Sequence, residues 1–100
     1  MEIADVIQVE LTAEDIEKTL SSLGRTYRAS AECYIATAVK RHFNMKNGVS
    51  CGYHGVHVRD VGYFWLDQNA KDITGIQPHC PSFRAVTPTT FTLTLKTKYV

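Results

Sequence analysis

Between residues 30 and 58 the hydrophobic pattern changes period once, and that change restricts what the chain can fold into. From Ser30 to Phe43 the apolar residues Ile35, Ala36, Val39 and Phe43 recur at helical spacing and line one face. Ser30 has the chemistry of an N-cap, and Lys40, Arg41 and His42 fall in the last turn, where cations complement the helix dipole. After Asn47 and Gly48 the period becomes two. Val49, Cys51 and Tyr53 point one way, and Val56 and Val58 alternate after them. A helix that feeds directly into alternating strands predicts an α+β domain, with helices laid on a sheet.

The flanking residues extend this reading. Residues 3–9 form a first strand, with Val6, Ile7 and Val9 apolar. Thr12 and Asp15 have capping-box spacing, and Leu11 and Ile16 sit where a hydrophobic staple places them. Ile16, Leu20 and Leu23 make an i, i+4, i+7 core stripe, and Gly24 stops that helix. Gly52 and Gly55 suggest a bulge or tight turn around His54. Asp60, Val61 and Gly62 read as a hairpin turn before the strand Tyr63-Phe64-Trp65-Leu66. Asp67 caps a short helix over residues 68–73, closed by Gly75. Residues 77–81 hold two prolines and read as an irregular loop, and residues 83–86 as a short edge strand. The clearest strand runs over residues 89–96, with Phe91, Leu93 and Leu95 inward and Thr90, Thr92, Thr94 and Lys96 outward. The expectation is one α+β domain over residues 1–100: an antiparallel sheet of about four or five strands, two main helices on one face, and a third short helix.

No apolar run approaches the ~18 residues of a membrane span, and Met1-Glu2-Ile3-Ala4-Asp5 lacks the basic and apolar regions of a signal peptide. The chain therefore reads as cytoplasmic, in contact with no membrane, with its three cysteines as free thiols. The net charge of +1 argues against a dedicated polyanion binder, yet the charge is segregated. Residues 1–24 carry Glu2, Asp5, Glu10, Glu14, Asp15 and Glu17 against Lys18, a balance of −5. Residues 25–47 carry Arg25, Arg28, Lys40, Arg41 and Lys46 against Glu32, a balance of +4. Segregated sign fits complementary contacts with a partner, or simply a solvated acidic helix face.

Catalytic signatures are absent. There is no nucleophile elbow, P-loop, zincin helix or dinucleotide fingerprint. Cys51, His54 and His57 are metal-ligand residue types. On one unbroken strand, however, 51 and 57 share a face and 54 opposes them, so only a turn at Gly52 or Gly55 gathers all three. Neither a metal nor a cofactor is expected. Cys33, in the first turn of the second helix, reads either as a thiol acidified by free amides or as a small buried apolar residue. Tyr27 and Tyr34 lie among the basic residues, as rings between phosphate-binding cations do in single-strand binders.

Several segments fall in a familiar order: Thr12-Ala13-Glu14-Asp15-Ile16, then Ala31-Glu32-Cys33-Tyr34-Ile35-Ala36-Thr37-Ala38, the valines Val56 and Val58, Leu66-Asp67-Gln68-Asn69-Ala70, and Phe91-Thr92-Leu93. This order resembles a group of small uncharacterised bacteriophage and prophage proteins. Tyr34 and Asp67 stand where that pattern usually has proline. The resemblance implies phage or prophage origin and supplies no activity. Small phage proteins of this type are frequently inhibitors of host defence, anti-CRISPR proteins among them. The expectation is then a non-catalytic viral protein that occupies the surface of a host protein or ribonucleoprotein defence complex in the host cytoplasm. Glu10, Glu14, Asp15 and Glu17 would mimic phosphates, and Arg25, Arg28, Lys40 and Arg41 would be the other candidate partner contacts. The alternatives are a nucleic-acid-binding regulator using the basic residues 25–46, and an oligomer that binds a nucleotide signal near Tyr63 and Trp65.

Overall fold

A computed structural model describes residues 5–21, 32–76 and 86–99. The elements in chain order are β1 (Val6–Leu11), α1 (Ala13–Ser21), α2 (Tyr34–His42), β2 (Val49–Cys51), β3 (Gly55–Val58), β4 (Gly62–Leu66), α3 (Gln68–Thr74) and β5 (Thr89–Lys98). The strands form one five-stranded antiparallel sheet in the order β1-β5-β4-β3-β2. The fold is therefore α+β, with five strands and three helices among the described residues.

Alternation decides which side of the sheet is covered. Val9, Leu11, Val49, Cys51, Val56, Val58, Phe64, Leu66, Phe91 and Leu93 all point inward and are buried. They join Ile35, Ala36, Ala38 and Val39 of α2 and Ala70 and Ile73 of α3 in one apolar cluster. α2 reaches across from β1 to β2, the two edges of the sheet, and α1 docks against α2. The small residues Ala36 and Ala38, both fully buried, let α2 lie close to the strands.

Local chemistry sets the element ends as read from the residues in two places. The Thr12 amide donates to Asp15 Oδ2 at 2.9 Å and the Asp15 amide to Thr12 Oγ1 at 3.1 Å, closing the capping box. Asp67 caps α3 by accepting the Ala70 amide at 2.8 Å, and its other oxygen accepts the Thr92 amide at 2.8 Å. Gly48, at φ 85°, makes the left-handed step between α2 and β2. The turn from β3 to β4 takes a positive φ at Asp60.

Other expectations need correction. The first strand runs to Leu11, not Val9, because Leu11 is drawn into the core. The α1 stripe is rotated: Asp15 and Thr19 are buried, Ile16 is half-buried, and Leu20 is 45% exposed. A polar seam is the cause. Thr19 Oγ1 donates to the Asp15 carbonyl at 3.0 Å and lies 3.0 Å from Thr37 Oγ1, so α1 meets α2 partly through hydroxyls. α2 proper begins at Tyr34, with Cys33 as N-cap and Phe43 as C-cap. Tyr53 lies in the turn between β2 and β3, 53% exposed, not on a strand face. Val86 is irregular, and the rest of the expected edge strand, residues 83–85, lies outside the described residues; β1 and β2 are the edges of the described sheet. The last strand extends two residues past Lys96. Leu23, Gly24, Arg25, Arg28, Ser30 and residues 77–85 lie outside the described residues.

Candidate binding face

The opposite side of the sheet is built from the same strands. Its outward positions are Val6, Gln8 and Glu10 on β1, Thr90, Thr92, Thr94, Lys96 and Thr97 on β5, Tyr63 and Trp65 on β4, His57 on β3 and Ser50 on β2. Register turns these into rows. Trp65 stands opposite Thr94, which stands opposite Val6. Tyr63 stands between His57 and Thr97, and His57 is opposite Ser50. No described helix covers these rows: Trp65 is 42% and Val6 58% exposed.

A register shift between Tyr63 and Phe64 gives this face its centre. β5 places one extra residue, Lys96, against β4, so Lys96 and Thr97 both rise beside Tyr63. The Lys96 ammonium lies 4.7 Å from the Trp65 ring centroid and 5.5 Å from that of Tyr63. The two rings meet edge to face at 5.7 Å. Gly55 makes room for the Tyr63 ring. A β-carbon there would collide with the Tyr63 ring and come within 2.7 Å of the Phe64 carbonyl oxygen. Beside the pair, His57 Nδ1 lies 2.8 Å from the Tyr99 hydroxyl. Glu10 is the one carboxylate among these outward strand positions, two pairs down β1 from the Val6 row. The face around the rings is thus aromatic and basic.

The residues singled out for partner contact are spread over different surroundings. Asp15 is 3% exposed. Arg41 Nε donates to Asp15 Oδ1 at 3.0 Å, and Arg41 Nη2 donates to the Glu10 carbonyl at 2.6 Å. Asp15 and Arg41 therefore hold α1, α2 and β1 together. Glu10, Glu14 and Glu17 are exposed. Lys40 is half-buried, and its ammonium pKa is lowered mainly by desolvation, with Lys18 adding repulsion. Arg25 and Arg28 lie outside the described residues.

Cys51, His54 and His57 do not converge. The turn that follows β2 breaks the parity of an unbroken strand: Cys51 points into the core, His54 is exposed against Tyr53, and His57 is on the outer face. Among the described residues no three His, Cys, Asp or Glu side chains gather to hold a metal ion. Among the described residues Trp65 is exposed and Tyr63 half-buried. A hollow of about 250 Å³ lies elsewhere, between α3 and the stretch entering β5, lined by Asp72, Ile73, Val86 and Thr87 among others. No described helix is long and apolar enough to cross a membrane.

The sequence marks Lys96 as outward and Tyr63 and Trp65 as a ligand site, but not their union. The usable signal was period two in β4, which places Tyr63 and Trp65 on the side opposite Phe64 and Leu66. No protein-family model, no curated protein and no solved structure matches this chain.

Proposed function

We propose that the chain is a non-enzymatic binding module whose open sheet face takes single-stranded nucleic acid. The observation that carries this reading is the Tyr63–Trp65 pair lying half-open beneath Lys96. Rings on an uncovered antiparallel sheet give unpaired bases a stacking platform, and nearby lysines neutralise phosphates. Lys96 over exposed rings contributes only about 0.5–1 kcal/mol, whereas stacking a base on such a ring contributes about 1–3 kcal/mol. An arriving base therefore displaces the ammonium from Trp65, and the freed charge swings toward the backbone. The basic residues 25–46 are not needed for this contact.

The test is anisotropy of a labelled oligothymidylate of roughly 12 nucleotides at two salt concentrations. Binding that weakens with salt, and falls in Trp65→Ala, is the expected result. Equal binding by parent and Trp65→Ala would remove the sheet face from consideration. Competition by a free mononucleotide at the same concentration as the oligomer would favour a nucleotide-signal binder instead.

A second reading draws on the exposure of Glu10, Glu14 and Glu17. On the phage-inhibitor expectation these carboxylates would occupy a basic nucleic-acid channel of a host defence complex. Asp15 contributes no free charge to that surface. Reversing the three exposed glutamates to lysine would abolish capture of such a complex, while leaving oligonucleotide binding in place.

A further inference from the structure

Two thiols meet in the covered layer, away from the sheet face. Cys33 is the N-cap of α2 and Cys51 ends β2, against which α2 packs. Both are buried, 7% and 6% exposed. The Cys33 and Cys51 side chains lie against one another. Cys33 Sγ also accepts the Ala36 amide at 3.4 Å, and the Ile35 amide adds a second backbone donor. Cys51 has a further contact with the Gly52 carbonyl, 3.4 Å from its sulfur, and one with the Thr74 side chain.

Two buried cysteines in a core are ordinarily small apolar fillers. This pair differs in two respects. Sulfur occupies a capping position where serine, threonine, asparagine or aspartate binds the amides better. The two thiols also have opposite tendencies. The Cys51 S–H and the helix amides lower the Cys33 pKa to about 7 despite burial, while the same pairing and burial push Cys51 up. Cys33, which holds the Ala36 amide, is thus the sulfur disposed to attack, and Cys51 is the thiol beside it.

We propose that Cys33 and Cys51 are a disulfide-forming pair, closed by a hydroperoxide. The Cys33 thiolate attacks one oxygen of hydrogen peroxide. An S–O bond forms, the O–O bond breaks, and the departing hydroxide takes a proton to become water. Cys51 sulfur then attacks Cys33 sulfur. The S–O bond breaks, and the Cys51 proton goes to the leaving hydroxyl as a second water. The two thiols lose two electrons and two protons, and the peroxide gains them. The bond ties the start of α2 to the end of β2. It closes the chain across residues 34–50 without touching Tyr63, Trp65 or Lys96, so it is independent of the nucleic-acid reading.

The experiment uses the natural chain, in which Cys80 competes as a partner. The folded protein is treated with hydrogen peroxide, remaining thiols are blocked in denaturant, and the digest is mapped by mass spectrometry. The expected product is a Cys33–Cys51 linked peptide, reversible by dithiothreitol, in a protein that melts at a higher temperature than its reduced form. In Cys51→Ser the same treatment leaves Cys33 as a sulfenic acid that dimedone traps. Three outcomes overturn the proposal: linkage through Cys80, oxygen uptake at Cys33 of the parent without a link, and both thiols surviving a dose that oxidises the urea-unfolded chain.

Discussion

Phe64 and Trp65 are neighbours on one strand, and they show what separates the two faces of the sheet. Phe64 is fully buried beneath the helices, where it meets Phe43 at 5.9 Å between ring centres. Trp65 is 42% exposed and touches Tyr63 and Lys96. The covered face uses its charges internally, as Asp15 and Arg41 do. The open face leaves Lys96 with two aromatic rings. One side of the sheet is thus organised to hold the fold, and the other presents groups whose contacts an incoming ligand can replace.

The sharpest way to break that comparison is to truncate each neighbour in turn. Phe64→Ala deletes a fully packed ring and should cost about 3–5 kcal/mol of stability. Trp65→Ala should cost about 1 kcal/mol or less, since a surface ring and its cation contact are lost. Urea denaturation of both variants measures the difference. Equal losses would mean that Trp65 is core, and the open face would not exist as described. Next in size is Asp15→Ala. It removes a cap and leaves Arg41 without its carboxylate, so it should cost about 1–2 kcal/mol while oligonucleotide affinity holds. Loss of affinity at unchanged stability would instead make Asp15 a contact residue.

Gly55→Ala sharpens the comparison from the other side. Its new β-carbon meets the Tyr63 ring and the Phe64 carbonyl, so stability should fall by about 1–2 kcal/mol, and the tilted ring should weaken oligonucleotide binding. Calorimetry and anisotropy on one preparation read both effects. The smallest change is expected for Lys96→Ala. Stability should shift by about 0.5–1 kcal/mol at most, and the slope of log affinity against log salt should become shallower by about 0.7. An unchanged slope would place the phosphates elsewhere.

Much of this was legible in the residues because the signals are local. The alternation of Phe91, Leu93 and Thr94, the box of Thr12 and Asp15, and the cap of Asp67 each depend on neighbours in sequence. The rotation of α1 was not legible. Asp15 is buried because Arg41, 26 residues later, reaches it, and no short-range pattern encodes that pairing. The same holds for the parity of Cys51 and His57, which a four-residue turn inverts. For the binding face, alternation exposed Tyr63 and Trp65, but the bulge that seats Lys96 over both is a property of two paired strands.

Trp65 is the single tryptophan of the chain, so its emission reports on the proposed contact without a label. Titration with a single-stranded oligothymidylate at low salt should quench that emission saturably. Duplex of the same length should leave it largely unchanged, because paired bases cannot stack on the ring, and raising the salt should reverse the quenching. Constant emission across a titration in which anisotropy registers binding, or in which no binding occurs at all, would contradict the assignment of the open sheet face as the working surface.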